Sequence, residues 1–206
     1  MDYTTPASKE VLDATVLALT ANNFLPEIVA TKEEALARIK ALIPQGASIM
    51  NGSSTTLQQI GFVDYLKEGA HGWNNLHAAV LAETDKEKQV ALRKQSVVSD
   101  FYLGSVHALS QTGELVIASN SGSQLPHLAY TSPNLILVVS TKKITPSLAT
   151  ALERVESHVV PLEDARMKTA AGYGTMHAKT LILHKENPAL GRKVHMLLVE
   201  DASLGF

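Results

Sequence analysis

Two short runs of small polar residues are the first places in this chain where chemistry could be done. Asn51-Gly52-Ser53-Ser54-Thr55 lies between a short apolar stretch and the start of a helical pattern. Unpaired amides at such a junction, with the helix dipole behind them, favour an anion. Glycine lets a ligand approach the backbone, and the hydroxyls of Ser53, Ser54 and Thr55 can donate to phosphate or carboxylate oxygens. An ordinary helix cap built from small residues accounts for the same run.

The second run is Ser119-Asn120-Ser121-Gly122-Ser123-Gln124, after a β-branched stretch and before Leu125-Pro126. It is longer than a plain turn requires. It offers many donors and acceptors with little bulk, which suits a ligand-binding loop. His107 is the third candidate, following the extended run Phe101-Tyr102-Leu103-Gly104. An imidazole there can donate, accept or shuttle protons near neutral pH. The alternative is a histidine hydrogen-bonded inside the fold. Asp100 and Glu114 flank this region, and either can orient His107, act as a base or cap a local turn.

Other chemistries are less well provided for. The chain has no cysteine among its 206 residues, which removes disulfides, a thiol nucleophile and clusters held on its own thiolates. None of the eight histidines has the spacing of a zinc motif, so no metal and no cofactor is expected. No dinucleotide fingerprint, phosphate-binding loop with its lysine, or nucleophile elbow is present. Lys142-Lys143 is suited to neutralising an anion, but reads more simply as a pair of solvated surface lysines.

The elements that must position these residues alternate between strand and helix. Ser8 caps a helix with Val11, Leu12, Val16 and Leu19 on one face, ending at Asn22-Asn23. Thr31-Lys32-Glu33-Glu34 has the form of a capping box and leads a helix carrying Ala35, Leu36, Ile39, Leu42 and Ile43. Residues 24–30, 47–51, 100–104, 114–119, 135–140, 180–184 and 194–199 read as strands, and 71–96 as mostly helical. Leu135-Ile136-Leu137-Val138-Val139 is unbroken apolar sequence, as in a parallel strand buried on both faces. Thr145-Pro146 is expected to open a further helix. The pattern implies an α/β sheet with helices on both sides. Nothing divides the chain, so residues 1–206 are expected to form one domain, with 1–23 as an N-terminal helical extension.

Composition narrows the partners. Hydrophobic residues make up 45% and charged residues 18%, with a net charge of −2. That balance argues against a nucleic-acid binder. No stretch approaches the roughly 18 to 20 apolar residues of a membrane span, and the first residues lack the pattern of a signal peptide. A cytoplasmic protein is the expectation. Its oligomeric state, including a homo-oligomer with a shared site, stays open.

The stretch Ser99-Asp100-Phe101-Tyr102-Leu103-Gly104-Ser105-Val106-His107 through Ser119-Asn120-Ser121-Gly122-Ser123-Gln124-Leu125-Pro126 to Val139 resembles the lactate-utilization (LUD) domain family. Supporting pieces follow in order: Lys32 to Leu36, Ile43 to Ala47, Pro161 to Met167, and Leu198 to Phe206. The resemblance implies the Rossmann-like α/β fold shared by sugar-phosphate isomerases and CoA-transferases. It also implies a role in oxidising L-lactate to pyruvate alongside iron–sulfur partner proteins. The segment Ala171 to His177 lacks the cysteine that some members carry there, so a cluster role is not carried over. The leading expectation is a small anionic metabolite held between the Gly52–Thr55 and Ser119–Gln124 loops, with His107 nearby. The rivals are a non-catalytic scaffold or regulatory subunit, and an isomerase or transferase acting on a sugar phosphate or CoA ester. The absence of an acidic residue from the Ser119–Gln124 loop weighs against a glutamyl-type CoA transfer.

Overall fold

The computed structural model describes residues 2–206. Its centre is a six-stranded, wholly parallel sheet. In chain order the elements begin with α1 (Lys9–Ala21), β1 (Leu25–Val29), α2 (Lys32–Leu42), β2 (Ser48–Asn51), α3 (Thr55–Gln59) and α4 (Phe62–Glu68). There follow β3 (Asn74–Asn75), α5 (Leu76–Ala82), α6 (Lys86–Gln95), β4 (Phe101–Gly104), β5 (Ala108–Ser110) and β6 (Leu115–Ser119). The chain continues with β7 (Asn134–Ser140), β8 (Ile144–Thr145), α7 (Leu148–Arg154), α8 (Val160–Ala171), β9 (Lys179–Leu183) and β10 (Lys193–Val199). A wide turn at Val155–Val159 joins α7 to α8.

The sheet order is β1-β10-β7-β4-β2-β3. β7 lies inside it, paired on both sides, and is buried along almost its whole length. Its alternate residues serve two cores. Leu135, Leu137 and Val139 pack with Leu12 and Leu19 of α1 and with Leu109, Leu115 and Ile117. Ile136 and Val138 face the other way, with Ala35 and Ile39 of α2, Leu57 and Phe62. An unbroken apolar strand is the sequence a two-sided sheet requires. Leu12 and Leu19 also tie α1 to its own chain.

The fold is thus the α/β, Rossmann-like, parallel arrangement expected, with one addition. β6 and β9 do not join the main sheet. They form a second, mixed sheet, β8-β5-β6-β9. Its one face shares the α1 core, and its other packs through Ala108, Val116 and Ala118 on Ala151 and Val155. Strand pattern reports burial, not which sheet a strand pairs with, so the split was invisible in sequence.

Local details differ too. Thr31 accepts from the Glu34 amide at 3.2 Å, but the Glu34 carboxylate reaches back to the amide of Ala30 at 2.8 Å, one residue earlier than in a standard box. The reciprocal box occurs at Ser147 and Thr150, which open α7. Thr145 is therefore not the cap: it ends β8, buried, and its hydroxyl bonds back to the Leu109 carbonyl. The 71–96 region is broken by β3 and again before Asp85, whose carboxylate caps α6. Among the described residues no helix is long and apolar enough to cross a membrane.

Candidate functional site

Parallel strands deliver their C-terminal ends to one edge, and ligands bind there in open α/β sheets. Here β2, β4, β7 and β10 release the segments beginning at Gly52, Ser105, Thr141 and Glu200 along that edge. Facing them are the loop after β6 and the start of α8. Between lies a cavity of about 480 Å³. Gly52, Ser53, Ser54, Thr55, Ser119, Asn120, Ser121, Ser123, Gln124 and His107 all line it. Two loops some seventy residues apart in sequence are therefore brought together as expected.

Asp100 and Glu114 are not brought to this cavity. Asp100 precedes β4, at the opposite end of the strand, where its carboxylate accepts from the Ser48 amide at 2.8 Å and hydroxyl at 2.6 Å. Those bonds hold its pKa below the usual value. Its work is to pin β2 to β4. Glu114 sits in the β5–β6 turn and accepts from the Thr112 hydroxyl at 2.5 Å. Both lay near His107 in sequence, but a strand separates neighbours by its own length. Gly122 belongs to the loop without lining the cavity. Its φ of +86° serves the turn, and an added Cβ would come 2.9 Å from the Lys179 side chain.

His107 is held by its backbone and ring together. Its amide donates to Val116 O at 2.9 Å, and its carbonyl accepts from Arg154. Ring Nδ1 accepts from the Ala118 amide at 3.1 Å. A nitrogen that accepts from an N–H carries no proton, so the neutral ring bears its hydrogen on Nε2. Burial, reinforced by Lys143, Arg154 and His177, lowers the His107 pKa to about 3. With Nδ1 engaged and the pKa lowered, the ring stands neutral at physiological pH and presents Nε2–H as a hydrogen-bond donor.

The loops differ in what they leave free. Ser54 Oγ accepts from the Leu57 amide, so it is a cap. α3 has only five residues, too few for a substantial dipole. Gly52 packs against the Tyr102 hydroxyl, where an added Cβ would approach to 2.7 Å. Tyr102 is buried, its pKa raised by that burial, and it stacks on His127 at 4.5 Å. Burial also lowers the His127 pKa, to about 4, and its Nδ1 lies 2.9 Å from the Ser132 hydroxyl. This Tyr102–His127 stack, unforeseen in the sequence, backs the Gly52 turn.

The largest correction concerns Lys143. It is only 4% exposed, so it is no surface lysine. Its ammonium lies 3.0 Å from Ser105 Oγ, 3.1 Å from Val106 O and 3.4 Å from Thr56 Oγ1, at the cavity wall. Among the described residues no carboxylate comes within 4 Å of it. Burial, with Arg154 and Lys142 adding repulsion, lowers its pKa to about 7. Arg154, fully buried behind His107, donates to the main-chain oxygens of His107 and Phe206, and burial lowers its pKa to about 10. Lys142, the neighbour, reaches the carbonyls of Ala202 and Gly205 at 2.7 and 3.0 Å. Sequence carried one usable sign: the pair follows the most buried strand directly, at its C-terminal end.

On the α8 side the charges are matched. Arg166 meets Glu163 through two contacts of 2.6 Å. His177 lies between Glu156 at 2.6 Å and the Thr180 hydroxyl at 2.7 Å. The excess charge of the cavity is thus positive and sits on the Lys143 side.

The model of the LUD domain matches residues 12–189, and the chain belongs to that family. Its structure is similar to the crystal structure of a DUF162 family protein from Deinococcus radiodurans, with a TM-score of 0.57 and 14% sequence identity over 94% of this chain and 99% of that one. At that identity the likeness speaks for the fold alone. No curated protein matches the chain.

Proposed function

We propose that this LUD domain binds a small anionic metabolite in the cavity between the Gly52–Thr55 and Ser119–Gln124 loops, and that it serves the oxidation of L-lactate to pyruvate with iron–sulfur partner proteins. The observation that carries the first half is Lys143: a buried lysine without a carboxylate, opening onto a cavity. An ammonium taken out of water costs several kcal/mol unless paired, and a bound carboxylate or phosphate supplies the missing partner. His107 Nε2–H and the hydroxyls of Ser53, Thr55 and Ser123 offer neutral donors around the same space. The lactate half rests on the family and on the likeness of Ser99 to Val139 to its members.

Thermal shift and calorimetry with L-lactate, pyruvate, sugar phosphates and CoA test the reading. A ligand at a hundred times its Kd adds about 2.7 kcal/mol. We expect one anionic class to stabilise the wild type and not Lys143→Met. A flat response across the panel would remove the metabolite reading and leave a scaffold or regulatory subunit, to be sought through its protein partners.

One observation favours a second reading. A cavity of about 480 Å³ is in the range that encloses much larger ligands than a three-carbon acid. An isomerase or transferase acting on a sugar phosphate or CoA ester would use that room. It predicts turnover by the isolated chain without redox partners.

A further inference from the structure

The cations around the cavity divide into those paired with a carboxylate and those held by other oxygens. Arg166 is chelated by Glu163, His177 is bridged to Glu156, and Arg154 and Lys142 are spent on main-chain oxygens. Lys143 differs in place: buried and without a carboxylate, it lies at the cavity wall itself, its ammonium held on three sides by Thr56 Oγ1, Ser105 Oγ and Val106 O. The groups facing it are Arg154 from α7, Lys142 on its own turn, and His107 and Ser105 from the β4–β5 connection. None is acidic.

We propose that Lys143 is a nucleophile: its ε-amine adds to the carbonyl carbon of a 2-oxo acid held in the cavity and forms an imine with it. This rests on the anion-binding reading above and goes beyond it, since a lysine that merely holds a carboxylate forms no bond. The two roles make opposite demands. Salt-bridging lysines are kept charged by a nearby carboxylate, whereas nucleophilic ones are desolvated and set beside other cations so that a free amine is available near neutral pH. Lys143 has the second environment. Its pKa of about 7, against an ordinary 10.5, gives on the order of a thousandfold more free amine at pH 7 than a surface lysine has.

The step balances without an oxidant or reductant. The nitrogen lone pair forms the C–N bond as the carbonyl π pair moves to oxygen. The nitrogen gives up a proton and the oxygen gains one, making a neutral carbinolamine. Ser105 Oγ, 3.0 Å from Nζ, is placed to relay it. A second proton from solvent lets the hydroxyl leave as water, while the lone pair closes the C=N bond and leaves a protonated imine. His107, held neutral with hydrogen on Nε2, donates a hydrogen bond to the developing oxyanion and gives up no proton. The product keeps one positive charge at nitrogen beside the substrate carboxylate, which removes the unpaired-cation penalty of the empty site.

The test is reductive trapping on the whole chain. Wild-type protein is incubated with pyruvate and cyanoborohydride between pH 6 and 8.5, and the adduct is located by peptide mass mapping. Pyruvate binding is measured in parallel by calorimetry. The proposal expects a reduced pyruvyl adduct at Lys143, at least a hundredfold faster than at any other lysine, with a rate that rises with pH and levels off just above pH 7. L-Lactate, which has no carbonyl, gives none, and Lys143→Arg, which keeps the charge, loses the adduct. Pyruvate binding with no adduct, or with label scattered over several lysines, overturns the proposal and leaves the anion reading standing. The absence of both adduct and pyruvate binding also overturns the proposal, and silence from every other anion in the panel would then take the anion reading with it.

Discussion

The Ser119–Gln124 loop and the Thr141–Lys143 turn face the same cavity and differ in where their polar groups are spent. The loop satisfies itself. Ser119 Oγ donates to Gln124 Oε1 at 2.9 Å and accepts from the Gly122 amide at 2.8 Å, while Ser121 and Ser123 bond to each other. Asn120 is tied outward to Thr175 and Lys179. The turn holds a cation in a place where water and carboxylates are both scarce. A run of hydroxyls looks like a binding loop, but hydroxyls that already have partners bring little net energy to a ligand. A buried cation without a carboxylate outweighs five polar side chains that already have partners.

The sharpest way to break that comparison is to remove the charge. Lys143→Met is expected to weaken binding of the anionic ligand by roughly ten- to a hundredfold, the range of a charge-assisted hydrogen bond of ~1.5–3 kcal/mol. The same variant is expected to unfold at equal or higher urea, because it replaces a buried unpaired cation by an apolar side chain. Urea midpoints and calorimetry on one preparation decide both. A loss of stability together with unchanged affinity would reverse the ranking of the two regions.

Next in size is the wall behind Gly52. Gly52→Ala sets a methyl 2.7 Å from the Tyr102 hydroxyl, and overpacking of this kind costs about 1–3 kcal/mol. Tyr102→Phe removes the obstructing oxygen, so the double variant should recover part of the loss. A urea double-mutant cycle reads it, and an additive result would mean that the hydroxyl is not the obstruction.

The pH dependence of stability separates Lys143 from its neighbours. Its folded pKa is about 7 against an ordinary 10.5, so between these values the unfolded chain binds the extra proton. Stability therefore rises as pH rises from about 7 toward 10.5. The penalty is fully present below pH 7. Lys143→Met should lose that slope in urea unfolding at pH 7, 8 and 9. His107 and His127 act in the other window. Their folded values of about 3 and 4 lie below the ordinary 6.5, so stability falls as pH drops below about 6.5 and continues to fall toward 3. Replacing His127 by Gln should flatten the acid limb without touching the alkaline one.

The smallest effect is expected in the loop itself. Ser121→Ala removes a hydroxyl bonded only within the loop, and should change stability by less than about 0.5 kcal/mol and ligand affinity by only a fewfold. A loss as large as that of Lys143→Met would restore the loop to first place.

Much of this molecule is legible in its residues. The helix under Ser8, the cap at Thr31, the two-sided strand at Leu135 to Val139 and the parallel α/β fold all follow from periodicity and capping, because these are local properties of consecutive residues. The meeting of the 52–55 and 119–124 loops also followed, once both were placed at strand ends of an α/β sheet. Tertiary structure alone decided the rest. Asp100 and His107 are seven residues apart, yet β4 carries one to each end of the sheet. β6 and β9 have strand sequence, but pairing assigned them to a second sheet. Lys143 is a lysine like Lys142 in the chain. Burial, which is a sum over neighbours distant in sequence, made one a tether for the last residues and the other an unpaired amine at the cavity wall. Residue type sets what a side chain can do; the dielectric and the charges around it set its protonation, and those come only from the folded whole.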